Sequence, residues 1–218
     1  MFFAQGSTGS YVYRSISVQN LEILLDRLVK SQKMREWYQR LDPTSEIFKF
    51  TDMEGAVRFK EKCSTLDVDG LTSHLLRRYL LDGNMHPAKD FPELFSPDFP
   101  QGVLTYEWAK SLGGGEDGVL KTLKDRLSIN DDPQLRFWVD ILFINQLSKN
   151  IPVELAIAQE YYILCDRHVV AGSRSLLDRG WCIWELGLRA HSKKSSIIIG
   201  DLDKKARICY SCVWIWYD

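Results

Sequence analysis

The sequence has no surplus of either charge. Lys and Arg number 28 against 29 Asp and Glu, for a formal net charge of -1. That argues against nucleic acid as a partner, because neutralising phosphates takes a surplus of Lys and Arg. A long apolar run is also missing. No stretch approaches the roughly 20 residues of a membrane-spanning helix, and the opening MFFAQGSTGSYVYR lacks the charged-then-apolar order of a secretion signal, so no membrane partner is expected. Cysteine is scarce and odd in number: Cys63, Cys165, Cys182, Cys209 and Cys212. An odd count at irregular spacing is not a disulfide framework, and the expectation is reduced thiols in a cytoplasmic protein. Cys209 and Cys212 make a single C-x-x-C with strand-like flanks. With no second such pair and no His pair, no metal is expected, and two packed thiols are the reading.

What is present is a globular composition over 218 residues, 45% hydrophobic and 26% charged. That length holds one domain plus an extension, or two small ones. Tryptophan is unevenly placed: of seven, only Trp37 precedes residue 107.

The chain changes pattern near residue 100, dividing it into a mainly helical region (1–100) and an α/β domain (101–218). A helix is predicted from Asn20 to Arg40, because Leu21, Leu24, Leu25, Leu28 and Val29 recur at three- and four-residue spacing. Further helices are predicted over Met53–Cys63 and Leu71–Leu81, followed by a linker or surface wrap carrying Pro87, Pro92, Pro97 and Pro100. Beyond it come a strand at Val103–Trp108, a helix at Val119–Leu127, a buried parallel strand at Arg136–Ile141 and a helix opened by Pro152. A short strand at His168–Ala171, a helix within Ser173–Ala190, a strand at Ser196–Gly200 and a last one over Cys209–Tyr217 complete the alternation. Such alternation predicts βαβ units: a parallel sheet with helices on both faces.

Gly113, Gly115 and Gly118 fit G-x-G-x-x-G, which would cradle a dinucleotide phosphate with Asp131, Asp132 or Asp140 on the ribose. Glu116 and Asp117 place negative charge there, and Ala109–Leu112 separate strand from glycine, so a mobile loop is the better reading. Cys182 as a nucleophile would need His168 or His191 as base, with no orienting third residue evident; a buried thiol between two Trp is the simpler state. A Ser–His–Asp hydrolase lacks its G-x-S-x-G elbow. Trp181 and Glu185 say more. In a helix they share one face a turn apart, projecting an aromatic plane and a carboxylate near the edge where open α/β sheets bind ligands. A carboxylate beside an aromatic wall suits a ribose and an oxocarbenium-like centre. On spacing alone the simpler reading is tryptophans in the core with Glu185 as a surface charge, because Trp-rich helices usually pack inward.

Three segments raise the functional reading. Leu104-Thr105-Tyr106-Glu107-Trp108, Trp138-Val139-Asp140-Ile141-Leu142-Phe143-Ile144-Asn145-Gln146, and Ser173 through Gly180-Trp181-Cys182-Ile183-Trp184-Glu185-Leu186 together resemble the TIR (Toll/interleukin-1 receptor) domain superfamily and the related fungal heterokaryon-incompatibility domains. The resemblance covers residues 102–217. It implies a flavodoxin-like, TIR-type parallel sheet and NAD as the substrate of a nucleosidase releasing nicotinamide in immune or cell-death signalling. It makes Glu185 the catalytic carboxylate, places Trp181 and Cys182 beside the site with Asp140, and has Thr105, Tyr106, Glu107 and Trp108 line the base and phosphates. It further implies a homo-oligomer, active when assembled. Glu107 stands where many NAD-cleaving members carry a basic residue. That favours the alternative of a non-enzymatic, self-associating signalling module. A third reading is a nucleoside glycosyl transferase or hydrolase of similar fold.

Overall fold

The computed structural model describes residues 14–51, 56–115, 118–126, 134–146, 148, 150–172 and 174–199. The first element, β1 (Ser15–Ser17), leads directly into α1 (Val18–Lys30). Ser17 caps that helix, accepting the Asn20 N–H at 3.1 Å, and the predicted leucine stripe is buried. The helix expected to run on to Arg40 breaks at Ser31, and α2 (Gln32–Arg40) begins there. The Ser31 hydroxyl donates to the Leu28 carbonyl at 2.8 Å and accepts the Met34 N–H at 3.1 Å. A serine that satisfies both helix ends offers the backbone an alternative to continuing the helix.

Strands β2 (Lys49–Thr51) and β3 (Val57–Phe59) form a two-stranded antiparallel hairpin. The helix expected over Met53–Cys63 is therefore absent from its described part. Val57 and Phe59 alternate with Arg58 and Lys60, a period of two, and Gly55 weakens the helical alternative. Helix α3 (Ser73–Gly83) lies two residues beyond its expected span, capped by Thr72 and closed by Asn84 in the left-handed region at φ 50°. The proline-rich wrap is fastened down. It holds α4 (Pro87–Asp90), one 3-10 turn (Pro92–Leu94) and β4 (Phe95–Ser96), with Ala88, Leu94 and Phe95 buried.

The alternation then follows in outline: β5 (Gly102–Tyr106), α5 (Val119–Arg126), β6 (Arg136–Trp138), α6 (Asp140–Phe143), α7 (Ile151–Leu164), β7 (Arg167–Ala171), a 3-10 turn (Arg174–Asp178), α8 (Gly180–His191) and β8 (Ile197–Ile199). The strand expected over Arg136–Ile141 stops at Trp138, because the Asp140 side chain accepts the next backbone N–H, that of Ile141, at 2.6 Å and opens a short helix there. The strand expected over Cys209–Tyr217 lies outside the described residues.

The sheet order is β4-β1-β6-β5-β7-β8. Strands β6, β5, β7 and β8 are mutually parallel, so the βα half reads second, first, third, fourth, a doubly wound order. Right-handed crossovers then place α5 on one face and α7 and α8 on the other. The packing agrees: α5 lies against α1, and α7 lies against α8. The expectation of an all-parallel sheet needs correcting. Strand β1 pairs antiparallel with β6, Ile16 opposite Phe137, and β4 pairs antiparallel with β1. The sheet is mixed because the chain covers the β6 edge with its own early strands, which leaves no parallel edge open there. Sheet and core both run across residue 100: one cluster of buried residues includes Leu24, Leu76, Val103, Trp138 and Tyr162. Among the described residues no helix is long and apolar enough to cross a membrane.

Candidate active site

Strand β5 is buried along its whole length, with a neighbour on each side. Its carboxyl end lies where the strand order reverses, and open α/β sheets bind ligands in the crevice beyond such a point. A cavity of about 430 Å³ is found there, within the size range of small-molecule sites. Leu104 and Tyr106 of β5 line it, with Asp140 from the start of α6 and Trp181, Cys182 and Glu185 from the first turns of α8. Trp108, Arg77, Arg179 and Gln146 line it as well.

Of the eight residues singled out from sequence, six meet in this cavity: Tyr106, Trp108, Asp140, Trp181, Cys182 and Glu185. Thr105 is buried behind it and reaches it only through Glu185. Glu107 faces elsewhere, its carboxylate accepting the Ser175 hydroxyl at 2.7 Å. Gly172 follows β7 beside that pair. A Cβ there would lie 2.6 Å from Leu176 Cδ1 and 3.2 Å from Glu107 Oε1, so glycine is what lets the two segments close up.

The alternative of Glu185 as a surface charge is overturned, since the side chain is only 2% exposed. Its environment determines its protonation. Tyr162 Oη lies 3.0 Å from the Leu104 carbonyl and 2.7 Å from Glu185 Oε1. A phenol has one proton and a carbonyl none. Both contacts are satisfied together when Tyr162 donates to the carbonyl and a protonated Glu185 donates to Tyr162. Electrostatics agree. Burial, and then the neighbouring Asp140 charge, push the Glu185 carboxyl up to about 8, with the hydrogen-bond contacts to Thr105, Tyr162 and Trp181 restraining the shift. On the other oxygen, Thr105 donates to Oε2 at 2.6 Å, so its hydroxyl is left to accept from His168 Nε2 at 2.9 Å. His168 Nδ1 then accepts from the Ser196 hydroxyl at 2.7 Å. Hydrogen bonds thus point one way from Ser196 to Glu185. Burial, then the Arg189 charge, lowers His168 to about 3, so it is a neutral link.

Asp140 is the second buried acid. It accepts the Tyr106 hydroxyl at 3.1 Å, the Trp108 indole N–H at 2.9 Å and the Ile141 backbone N–H at 2.6 Å. Burial raises its carboxyl to about 6, with those three donors restraining the shift. Tyr106, having given its proton to Asp140, accepts from Ser73 at 2.7 Å. Helix α3 therefore orders the acid from outside the βα half.

The nucleophile reading of Cys182 fails. Its Sγ rests 3.8 Å from the Tyr106 carbonyl, and burial, then Glu185, pushes the thiol far above its ordinary range. His168 is committed to Thr105 and Ser196, and His191 is exposed. The glycine-rich loop is pinned in its described part, where a mobile loop was expected. Asp69 accepts the Gly114 N–H at 2.8 Å, and a Cβ at Gly113 would lie 2.4 Å from the Val68 carbonyl oxygen. A carboxylate already holds the N–H that a phosphate would need. Asp131 and Asp132, like Cys209 and Cys212, lie outside the described residues. Cys63, Cys165 and Cys182 are free thiols. Among the described residues no cluster of His, Cys, Asp or Glu could hold a metal ion.

Sequence reasoning missed Tyr162, His168 (as a partner of Thr105), Ser73, Arg77 and Arg179. None of them stands at a telling distance along the chain from Glu185 or Asp140. Only Arg179 carried a local signal, preceding the Gly180-Trp181 start of α8.

Fold and site together define an α/β protein with two buried carboxyls on the wall of a ligand-sized cavity at a sheet switch point. No family model matches the chain, and no curated protein or solved structure matches it.

Proposed function

We propose that this protein is a TIR-like enzyme of flavodoxin-like topology that cleaves the nicotinamide–ribose bond of NAD. The observation that carries the reading is Glu185, a buried carboxyl sharing the wall of a ligand-sized cavity with the aromatic planes of Trp181 and Trp108. The nicotinamide of NAD is a pyridinium cation. Aromatic faces attract cations, and a cation beside Glu185 and Asp140 favours their ionised forms. The substrate thereby draws out the negative charge that its own transition state requires, and the Glu185 proton is released to solvent. As the glycosidic bond breaks, its electron pair leaves with neutral nicotinamide, and positive charge develops at the ribose C1′ next to the Glu185 carboxylate. Water then adds to C1′ and gives up one proton to the Glu185 carboxylate, leaving ADP-ribose and the neutral acid. Thr105 keeps its hydrogen bond to Oε2, and as Glu185 ionises Tyr162 turns its one proton from the Leu104 carbonyl to Oε1.

The test is nicotinamide release from NAD by concentrated protein, with nucleosides assayed in parallel. Release should fall by on the order of a hundredfold or more in Glu185→Gln. Release from nucleosides but not from NAD would favour a nucleoside hydrolase. No release at any protein concentration, or release unchanged in the variant, refutes the proposal.

One observation favours a second reading, a self-associating signalling module. The β2–β3 hairpin holds Val57 and Phe59 exposed at 57% and 61%, and single hairpins with apolar faces invite a partner. Light scattering across protein concentration separates the two: assembly without turnover supports the module, and a strict monomer counts against it.

A further inference from the structure

The cavity is not uniform in charge from floor to mouth. Its acids are deep: Asp140 and Glu185 are buried almost completely. Its two arginines are not, since Arg179 is half-buried and Arg77 exposed. Arg77 comes from α3 and Arg179 from the residue before α8, so two distant segments present guanidinium groups to one opening. Neither forms an ion pair among the described residues. Arg77 donates its Nε–H to Gln146 Oε1 at 3.0 Å, and the backbone N–H of Arg179 bonds the Leu176 carbonyl. The terminal N–H groups of both guanidiniums thus have no protein acceptor among the described residues. By contrast, other arginines of the chain are matched: Arg27 to Glu93, Arg78 to Asp82, Arg136 to Asp98. Unmatched guanidiniums at the mouth of a cavity fit carboxylate or phosphate oxygens, which they bind through paired, charge-assisted hydrogen bonds.

We infer that Arg77 and Arg179 form a phosphate-binding subsite at the mouth of the cavity, and that the ligand is a phosphorylated nucleoside entering base-first or nicotinamide-first with its phosphates outward. The inference rests on the proposed reaction for the identity of the inner group, though not for the anion. The charge gradient sets the orientation. A cationic ring is drawn past the arginines to the acids, and the phosphates are held back at the rim by the arginines and repelled from the floor by the Asp140 carboxylate. The subsite also gives α3 a role in ligand binding that the βα half cannot supply. It answers the absence of a basic residue at Glu107, since the positive charge comes from elsewhere in the fold.

Calorimetric titration with ADP-ribose tests this without requiring turnover. The wild type should bind ADP-ribose more tightly than adenosine or ribose, and the affinity should fall with added salt. R77Q and R179Q should each lose on the order of tenfold or more in Kd for ADP-ribose, with thermal melting unchanged, since neither guanidinium forms an ion pair among the described residues. Unchanged ADP-ribose affinity in both variants, or a wild type that does not prefer ADP-ribose to its unphosphorylated parts, overturns the subsite. Nicotinamide release is measured on the same samples. If ADP-ribose binding depends on the arginines but NAD is not cleaved, the subsite stands and the reaction falls. If NAD is cleaved with KM unmoved in both variants, the reaction stands and the subsite falls.

Discussion

Glu185 illustrates how one side chain changes character between sequence and fold. Along the chain it is a helical carboxylate four residues after Trp181. In the fold it is a neutral acid held by Thr105 and Tyr162, with its carboxyl raised from 4.5 to about 8. The consequence for stability has a definite sign. Above 4.5 the unfolded chain releases this proton, while the folded chain keeps it up to about 8, so the folded state loses stability as pH rises across that window. The slope approaches about 1.4 kcal/mol per pH unit, the value for one proton. Asp140 acts the same way in a lower window, from 3.8 to about 6. Glu185→Gln cannot titrate. Its stability relative to wild type should therefore climb between pH 5 and 8 and then level off. Urea unfolding at several pH values reads this directly, and a difference that stays constant with pH would refute a buried neutral Glu185. Activity should run opposite to stability, with kcat/KM rising toward alkaline pH as the free protein forms the carboxylate.

Among the elements, α8 organises the site and is itself held by one buried arginine. Arg189 donates to the Tyr162 and Cys165 carbonyls at the end of α7, at 3.1 and 2.7 Å, and to the Ser195 carbonyl before β8 at 2.9 Å. A guanidinium is suited to a helix carboxyl end, where carbonyls lack intrahelical partners and the dipole is negative. The clamp sets α7 against α8, and with it Tyr162 against Glu185. Arg189→Met keeps the apolar stem but leaves those carbonyls buried without a donor. It should cost roughly 3 kcal/mol, measured by chemical denaturation, and lower activity further through a displaced Tyr162. The element-level readings from sequence divided by cause. Helices α1, α3 and α5 were recognisable because periodic apolar spacing and caps are local, and α7 because Pro152 suits a first turn. The hairpin β2–β3 and the break at Ser31 were misread because a short alternation and a single hydroxyl carry little weight against a longer helical pattern. Strand β1 gave no periodic signal at all in three residues.

At the scale of the whole molecule, the pattern change at residue 100 does not divide the sheet. Strands β1 and β4 complete it, α1 covers α5, and α3 supplies Ser73 and Arg77 to the site. A fragment of residues 101–218 should therefore lack a cooperative thermal transition, because it loses the buried faces of α1 and α3 that share its core and opens the β6 edge. Circular dichroism melting of fragment against full chain checks this, and a cooperative melt of the fragment would show the early region to be dispensable. What the sequence by itself determined is local: the βα alternation beyond residue 102, and the pairing of Trp181 with Glu185 on one helical face, both consequences of fixed periodicity along the backbone. Only the tertiary structure decided the mixed sheet, the protonation of Glu185, and the meeting of Arg77 and Arg179 at one opening. Burial, hydrogen-bond direction and charge separation depend on which distant segments come together through space, and no spacing along the chain encodes that.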